Sequence, residues 1–263
     1  SNEELPTVIC DEVERRAATT LNWMVDNKMS LLSIALDHLT LARVGIIRAI
    51  LVHPLPHASL LLPHVAAAVN GLRAAHTNGM AGWWAERQPD VVTMQEVRAP
   101  DELVPGLVDE AAGPGWHVAH AECAAKGRAG VAVASRTPIT ASRSGLPKRR
   151  GSAAYDDSGR WIEADIDTPD GKGLTVVSCY VHTGDADVPS RMSEKLAFLD
   201  AMGKRLDTLR KKGRHVLLTG DLNVGHRELD IKNWKGNVGK AGFHPDERAW
   251  FDHLLQKLGW VDI

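Results

Sequence analysis

His215-Val216-Leu217-Leu218-Thr219-Gly220-Asp221-Leu222-Asn223 is the stretch whose reading decides the fold of this chain. A short, unbroken apolar run from Val216 to Thr219 is the pattern of a strand covered on both faces. The strand then runs directly into an acid and an amide. A carboxylate at the end of a buried strand is costly unless water, a hydrogen-bond network or a cation satisfies it. Taken alone, Gly-Asp-Leu-Asn is also a good turn sequence, so its meaning depends on the segments around it.

Two other apolar runs end in the same way. Val91-Val92-Thr93-Met94 leads into Gln95-Glu96, and Thr175-Val176-Val177-Ser178-Cys179 leads into Tyr180. If the three strands are neighbours, Glu96, Tyr180, Asp221 and Asn223 converge at one edge. Two carboxylates, a phenol and an amide would then offer oxygen ligands to a hard cation such as Mg²⁺, which is commonly held by one or two carboxylates together with water and phosphate. Phosphoryl chemistry follows from that donor set.

Further strands are expected at 130–135, 161–166, 174–180 and 215–219, with Val91 to Met94 as the first. Between the last two, Met192, Leu196, Leu199, Met202, Leu206 and Leu209 recur every three or four residues, and Gly213 follows Lys211 and Lys212. This is an amphipathic helix with a basic end, placed to cover one sheet face. Short buried strands alternating with helices make an α/β fold.

The first part of the chain has a different texture. From Val8 to about Leu51 there is no proline, and apolar residues keep helical spacing, with a turn at Asp26-Asn27-Lys28 and stops at Pro54 and Pro56. A third helix is expected from about His57 to Ala75, confined or kinked by Pro63. The organisation expected is therefore an α-helical hairpin over 1–62 and an α/β domain over 63–263. The hairpin resembles a tetratricopeptide-type pair, which implies a packing or partner-binding appendage rather than chemistry of its own.

With 263 residues, 44% of them hydrophobic and 24% charged, the chain can bury a large core, and its net charge of −2 does not announce a nucleic-acid binder. Basic residues do cluster locally, at Lys148-Arg149-Arg150 and from Lys204 to Arg214. Either run reads as a solvated face or as part of a binding patch. Three widely spaced cysteines without a CxxC pair suit a reducing compartment. With no run suited to a membrane span and no signal-peptide pattern, the expected location is cytoplasmic, with no membrane partner.

The ordered segments also carry a family resemblance. Val91-Val92-Thr93-Met94-Gln95-Glu96-Val97-Arg98, Gly127 to Ile139, Ser158-Gly159-Arg160-Trp161-Ile162-Glu163-Ala164, Tyr180-Val181 and Gly220-Asp221-Leu222-Asn223 resemble successive blocks of the exonuclease III and abasic (AP) endonuclease family. So do Asp230 to Asn237 and Gly242 to Trp250. The resemblance implies a four-layer α/β sandwich of the endonuclease/exonuclease/phosphatase type. It implies a Mg²⁺-dependent, or Mn²⁺-dependent, DNA repair phosphodiesterase acting on double-stranded DNA with abasic sites or 3′-end damage. Carried over, Glu96 is the metal ligand, Tyr180 meets the scissile phosphate or the attacking group, Asp221 orients or deprotonates water and Asn223 holds the phosphate. Arg160, Asn233, Trp234 and Lys235 reach DNA.

Two departures qualify the resemblance. The family's Asn-x-Asn-Gly block is matched by Ala68-Val69-Asn70-Gly71, and a methyl group can neither ligate nor donate. Leu60 to Val65 also reads as the end of a helical region rather than a first strand. In addition, the family's C-terminal Asp-bearing strand and Ser-Asp-His block have no counterpart, so the sandwich is expected to be partial. A natural fusion, a recombined chimera and a fragment all remain open, as does an alternative function as a catalytically impaired DNA-binding or scaffold protein. Hydrolysis of another phosphoester on the same fold is less favoured, because Asn233-Trp234-Lys235 and Trp250 resemble the nucleic-acid branch.

Overall fold

Strand alternation explains how this sequence layers itself, because successive side chains point to opposite faces. A computed structural model describes residues 50–51, 65–68, 71–77, 79–146 and 158–262. The chain divides into two units, Ser1–Gly45 and Ile46–Ile263, and the described residues belong to the second. Apart from Ile50 and Leu51, the expected tetratricopeptide-like hairpin over 1–62 lies outside them.

The elements in chain order are β1 (Ile50–Leu51), β2 (Val65–Ala68), α1 (Leu72–Thr77), α2 (Met80–Arg87), β3 (Val91–Gln95), α3 (Val104–Ala112), β4 (His117–Ala121), β5 (Val131–Ser135) and β6 (Ile139–Ser144). They continue with β7 (Trp161–Ile166), β8 (Leu174–Tyr180), α4 (Pro189–Arg210), β9 (His215–Asp221), α5 (Trp234–Asn237), α6 (Pro245–Asp252) and β10 (Val261–Asp262). One sheet has the order β10-β1-β9-β8-β7-β6, the other β2-β3-β5-β4.

Each sheet buries one face against the other sheet and one against helices. Val91, Val131, Val133, Ile162, Ala164, Leu174, Val176 and Leu217 form the layer between the sheets. On the outer face of the larger sheet, Val177, Cys179, Val216 and Leu218 pack with Phe198, Leu199, Met202 and Leu206 of α4 and Phe251 of α6. On the outer face of the smaller one, Val92, Met94, Ala132 and Ala134 pack with Leu72, Trp84, Val104 and Val108 of α1 to α3. The result is helices, sheet, sheet, helices, the expected four-layer sandwich.

The expected strands are present, with β3 and β9 extending slightly further than anticipated, and α4 covers the sheet as its periodicity required. Several expectations need correction. The third helix proposed over His57 to Ala75 does not form throughout. Val65–Ala68 is a strand running parallel to β3, with Val65 opposite Val91 and Ala68 opposite Met94, and the helix begins only at Leu72. Reading the approach to Val65 as the close of a helical region was therefore also wrong at that residue. Ladder pairing with β3 outweighs the helix propensity of an alanine run, while Gly71 at φ 76° makes the break. Likewise, Ile50–Leu51, at the end of the second expected helix, pairs antiparallel with both β9 and β10.

β4 and β6 were missed. Both are edge strands, and their sequences, His-Val-Ala-His-Ala and Ile-Thr-Ala-Ser-Arg-Ser, lack a continuous apolar run because each is only partly covered.

The basic run from Lys204 to Arg214 is largely paired within the fold. Lys204 meets Asp200, Arg210 and Lys211 meet Asp207, and Arg214 donates to the Ile166 carbonyl. Arg205 reaches inward to Glu163, which also receives Arg143 and the indole N–H of Trp161. Lys148-Arg149-Arg150 lies outside the described residues.

Glu163 is buried. Burial pushes its carboxyl pKa up, but the bonds from Arg205, Arg143 and Trp161 together hold it below its ordinary value of 4.5. The folded state therefore binds this proton less readily than the unfolded chain does. The stability from this group is complete above that ordinary value and is lost as pH falls through the depressed folded pKa. Glu163→Gln should cost about 3 kcal/mol at neutral pH by leaving the partly buried Arg205 guanidinium without its charge partner, while Arg143 keeps Asp165. The variant should also lose less stability than the parent on acidification. Urea melts at neutral and acidic pH test both points, and parallel curves for the two proteins would contradict the assignment.

Candidate active site

The inner faces of three strands turn from apolar to polar toward the same end. On β8 the face between the sheets carries Leu174, Val176, Ser178 and Tyr180. On β9 it carries Leu217, Thr219 and Asp221, and on β3 Val91, Thr93 and Gln95. The polar members join the sheets: Thr219 donates to Thr93 at 2.9 Å, Gln95 Nε2 to Ser178 Oγ at 3.0 Å, and Ser178 Oγ to the Met94 carbonyl at 3.1 Å. Above this seam, β8 and β9 run in parallel register with Tyr180 opposite Asp221.

Immediately after β3, Glu96 takes φ 52°, Arg98 also takes φ 52°, and the turn is sewn to its neighbours by backbone bonds. The Glu96 carbonyl accepts from Gly71 N at 2.6 Å, while Val97 N and Arg98 N donate to Gly130 O and Ala129 O at 3.0 and 2.9 Å. A left-handed conformation at a non-glycine residue persists only where its surroundings hold it there. Here it turns the Glu96 carboxylate toward β8, where Oε1 accepts from the Tyr180 hydroxyl and Oε2 receives the Arg98 guanidinium at 2.6 Å.

Arg160 lies over the Tyr180 ring, 4.6 Å from its centre, and donates to the Tyr180 carbonyl at 3.2 Å. Burial, followed by the hydrogen bond and charge of Glu96, pushes the phenol up to about 12, with Arg160 opposing. Tyr180 is therefore a protonated donor at neutral pH. Burial pushes the neighbouring Cys179 thiol up as well, leaving it unreactive.

Asp221 Oδ1 accepts from Asn223 N at 3.0 Å, and Asn223 Nδ2 donates to Val181 O at 2.8 Å. Asn223 has φ 50°, as an asparagine tolerates better than most residues. Of the candidate residues, Glu96, Tyr180, Arg160, Asp221 and Asn223 therefore belong to one strand-end site. Asn233, Trp234 and Lys235 belong to the following surface loop. Asn233 caps α5 at φ 57°, the Lys235 ammonium lies 5.6 Å from the Trp234 ring centre, and Asn237 ties the loop back to the carbonyls of Lys232 and Asn233.

Sequence reasoning missed Arg98, His182 and Lys195. His182 sits two residues beyond Tyr180 with its buried Nδ1 unpartnered, and burial, with Arg160 and Lys195 nearby, pulls its pKa down to about 4. It is neutral at pH 7. A lysine at 195, inside the apolar stripe of α4, was the one signal available for that residue.

The donor set suits a hard divalent cation. Glu96 supplies a carboxylate, and Asp221, opposite Tyr180 in the β8–β9 ladder, is close enough to act electrostatically on its phenol. Among the described residues no three His, Cys, Asp or Glu side chains gather as a metal cage. Glu96 is a side chain that could hold such a cation.

Fold and site together define a four-layer α/β sandwich with an acidic, oxygen-donor edge. The profile of the Endonuclease/Exonuclease/phosphatase family matches residues 62–261. Exodeoxyribonuclease III of Haemophilus influenzae is 31% identical over 194 residues, which is 71% of this chain and 68% of that protein. The DNA repair nuclease APEX1 of Danio rerio is 30% identical over 195 residues, 74% of this chain and 59% of that one. The solved 3′ phosphatase NExo from Neisseria, bound to a product DNA hairpin, superposes with a TM-score of 0.63 at 22% identity, covering 75% of this chain and 72% of that one. The chain thus belongs to the endonuclease/exonuclease/phosphatase family, in its exonuclease III and AP endonuclease branch, whose members are divalent-metal-dependent hydrolases of nuclease type. Among the described residues, no helix is long and apolar enough to cross a membrane.

Proposed function

We propose that this protein is a Mg²⁺-dependent DNA phosphodiesterase of DNA repair, cutting double-stranded DNA at abasic sites and removing nucleotides from 3′ ends. The observation that carries this reading is the meeting of Glu96, Tyr180 and Asp221 at the ends of β3, β8 and β9. The named activities of the Haemophilus and Danio relatives and the DNA bound by the Neisseria protein support the choice of substrate.

In this reading Asp221 orients a water and takes its proton as the oxygen attacks phosphorus in line. The opposite P–O ester bond breaks, and its oxygen is protonated from solvent. Tyr180, as a protonated donor, steadies a phosphate oxygen, Asn223 holds another, and Arg160, with the Asn233-Trp234-Lys235 loop, meets the DNA backbone. A bound Mg²⁺, or Mn²⁺, on Glu96 supplies charge stabilisation to the phosphate oxygens. We further assign a partner-binding role to the segment before β1 and the catalytic role to the domain that takes in β1, and propose that the protein acts in the cytoplasm.

The test is nicking of a duplex carrying one abasic-site analogue, with Mg²⁺ and with EDTA. Cleavage is expected only with the metal, and Glu96→Gln should raise the Mg²⁺ needed for half-maximal rate by about 10-fold or more. Equal cleavage in EDTA would overturn the reading. A second reading, DNA binding without turnover, is favoured by Ala68. It ends β2 opposite Met94, two residues before Glu96, where the family's asparagine would stand. That reading requires salt-sensitive binding by a folded protein that never nicks the duplex.

A further inference from the structure

The buried stripe of α4 contains a charge. Lys195 lies between Met192 and Leu199, and its side chain is 0% exposed, as is that of Glu247 on α6, 2.5 Å away. An ammonium has three N–H donors. Here they meet three acceptors: Glu247 Oε1, the Asn223 carbonyl at 2.7 Å and the Thr183 carbonyl at 3.0 Å. Glu247 is satisfied in turn by Gly242 N and His244 N, at 2.8 and 2.9 Å.

A buried ion pair is a poor device for stability alone, because apolar residues of matching volume serve as well or better. What apolar residues cannot do is grip two carbonyls. Those carbonyls belong to the two segments that leave the site, 181–183 after Tyr180 and 222–223 after Asp221. The same segments are joined by Asn223 Nδ2 to Val181 O and by Val181 N to Asp221 O, at 2.8 and 2.9 Å. The loop also packs on the lysine stem, since a Cβ at Gly184 would come within 2.8 Å of Lys195 Cδ.

We propose that Lys195, oriented by Glu247, is a positioning residue of the phosphodiesterase site, clamping the Tyr180–Thr183 and Asp221–Asn223 segments so that Tyr180, Asp221 and Asn223 keep one mutual geometry. The kinetic arm of its test rests on the nuclease reading above; the exchange arm does not.

The double substitution Lys195→Met with Glu247→Gln removes both charges while leaving an oxygen for the Gly242 and His244 amides. It is expected to melt within a few degrees of the parent and to keep the KM for abasic duplex, but to lose turnover by about 10²-fold, the scale of loss that a small misplacement causes. Amide hydrogen exchange at Val181 and Asn223 should accelerate by about 10-fold or more, with the core of β9 unchanged. Parental turnover in the folded variant would overturn the proposal, whatever the exchange shows. If the parent itself does not cleave, the nuclease reading fails separately, and unchanged exchange at Val181 and Asn223 overturns the clamp. If the double variant does not fold, Glu247→Gln alone is judged by the same two readouts.

Discussion

Gly220→Ala should leave little or no soluble folded protein. Gly220 lies inside β9, in register with Cys179 of β8, at φ 139°, a backbone conformation that side-chain-bearing residues rarely adopt. A Cβ there would stand 2.0 Å from the Cys179 carbonyl oxygen and 2.8 Å from its carbonyl carbon and amide nitrogen. Those atoms are backbone within a parallel ladder, so no side chain can swing away to make room. The two central strands of the larger sheet would have to separate. This belongs to the exceptional class of substitutions costing more than about 4 kcal/mol, against a total stability of only about 5–15 kcal/mol.

Gly171→Ala is the natural control. Its φ is 73°, but an added methyl group would meet nothing within 4 Å, so it should show only left-handed strain, about 1–2 kcal/mol. Soluble yield and calorimetric Tm of the two variants decide the matter. A Gly220→Ala protein that melts with the Gly171→Ala protein would show that β8 and β9 are not packed as described.

Asp221→Asn should fold normally and lose about 10³-fold or more in turnover. The amide keeps an oxygen for the Asn223 N–H, so the turn after β9 survives. What it loses is the capacity to take a proton from water, along with the negative charge facing Tyr180. Losses inside one catalytic unit are large and do not simply add, so combining this change with Glu96→Gln should cost much less than the product of the two. Nicking of the abasic duplex, normalised to correctly folded protein by its melting curve, is the measurement. A rate within a few-fold of the parent would remove Asp221 from the mechanism.

The ends of β3, β8 and β9 were legible in the sequence because each strand is buried on both faces. A continuous apolar run is a local signal, and so is the abrupt polar residue that follows it. Glu96, Tyr180, Asp221 and Asn223 could therefore be named before their meeting was known, and the order of the segments supplied the family. Arg98 gave no such signal, since an arginine two residues beyond an acid is ordinary until the φ 52° turn at Glu96 brings their charges together. The same holds for β4 and β6, whose partly exposed edge positions accept His, Ser and Arg and so blur the period of two.

By itself the sequence determined which segments must be buried, the helical period of α4, and the identity of the groups offered to a phosphate. Tertiary structure alone decided that Val65–Ala68 is a strand, that Arg205 of the basic run turns inward to Glu163, and that Lys195 grips the carbonyls of Thr183 and Asn223. The physical reason is range. Periodicity and turn chemistry act over a few neighbouring residues, whereas a ladder partner, a buried counter-charge or a carbonyl without a donor is supplied by residues far along the chain, and only folding brings them within hydrogen-bond distance.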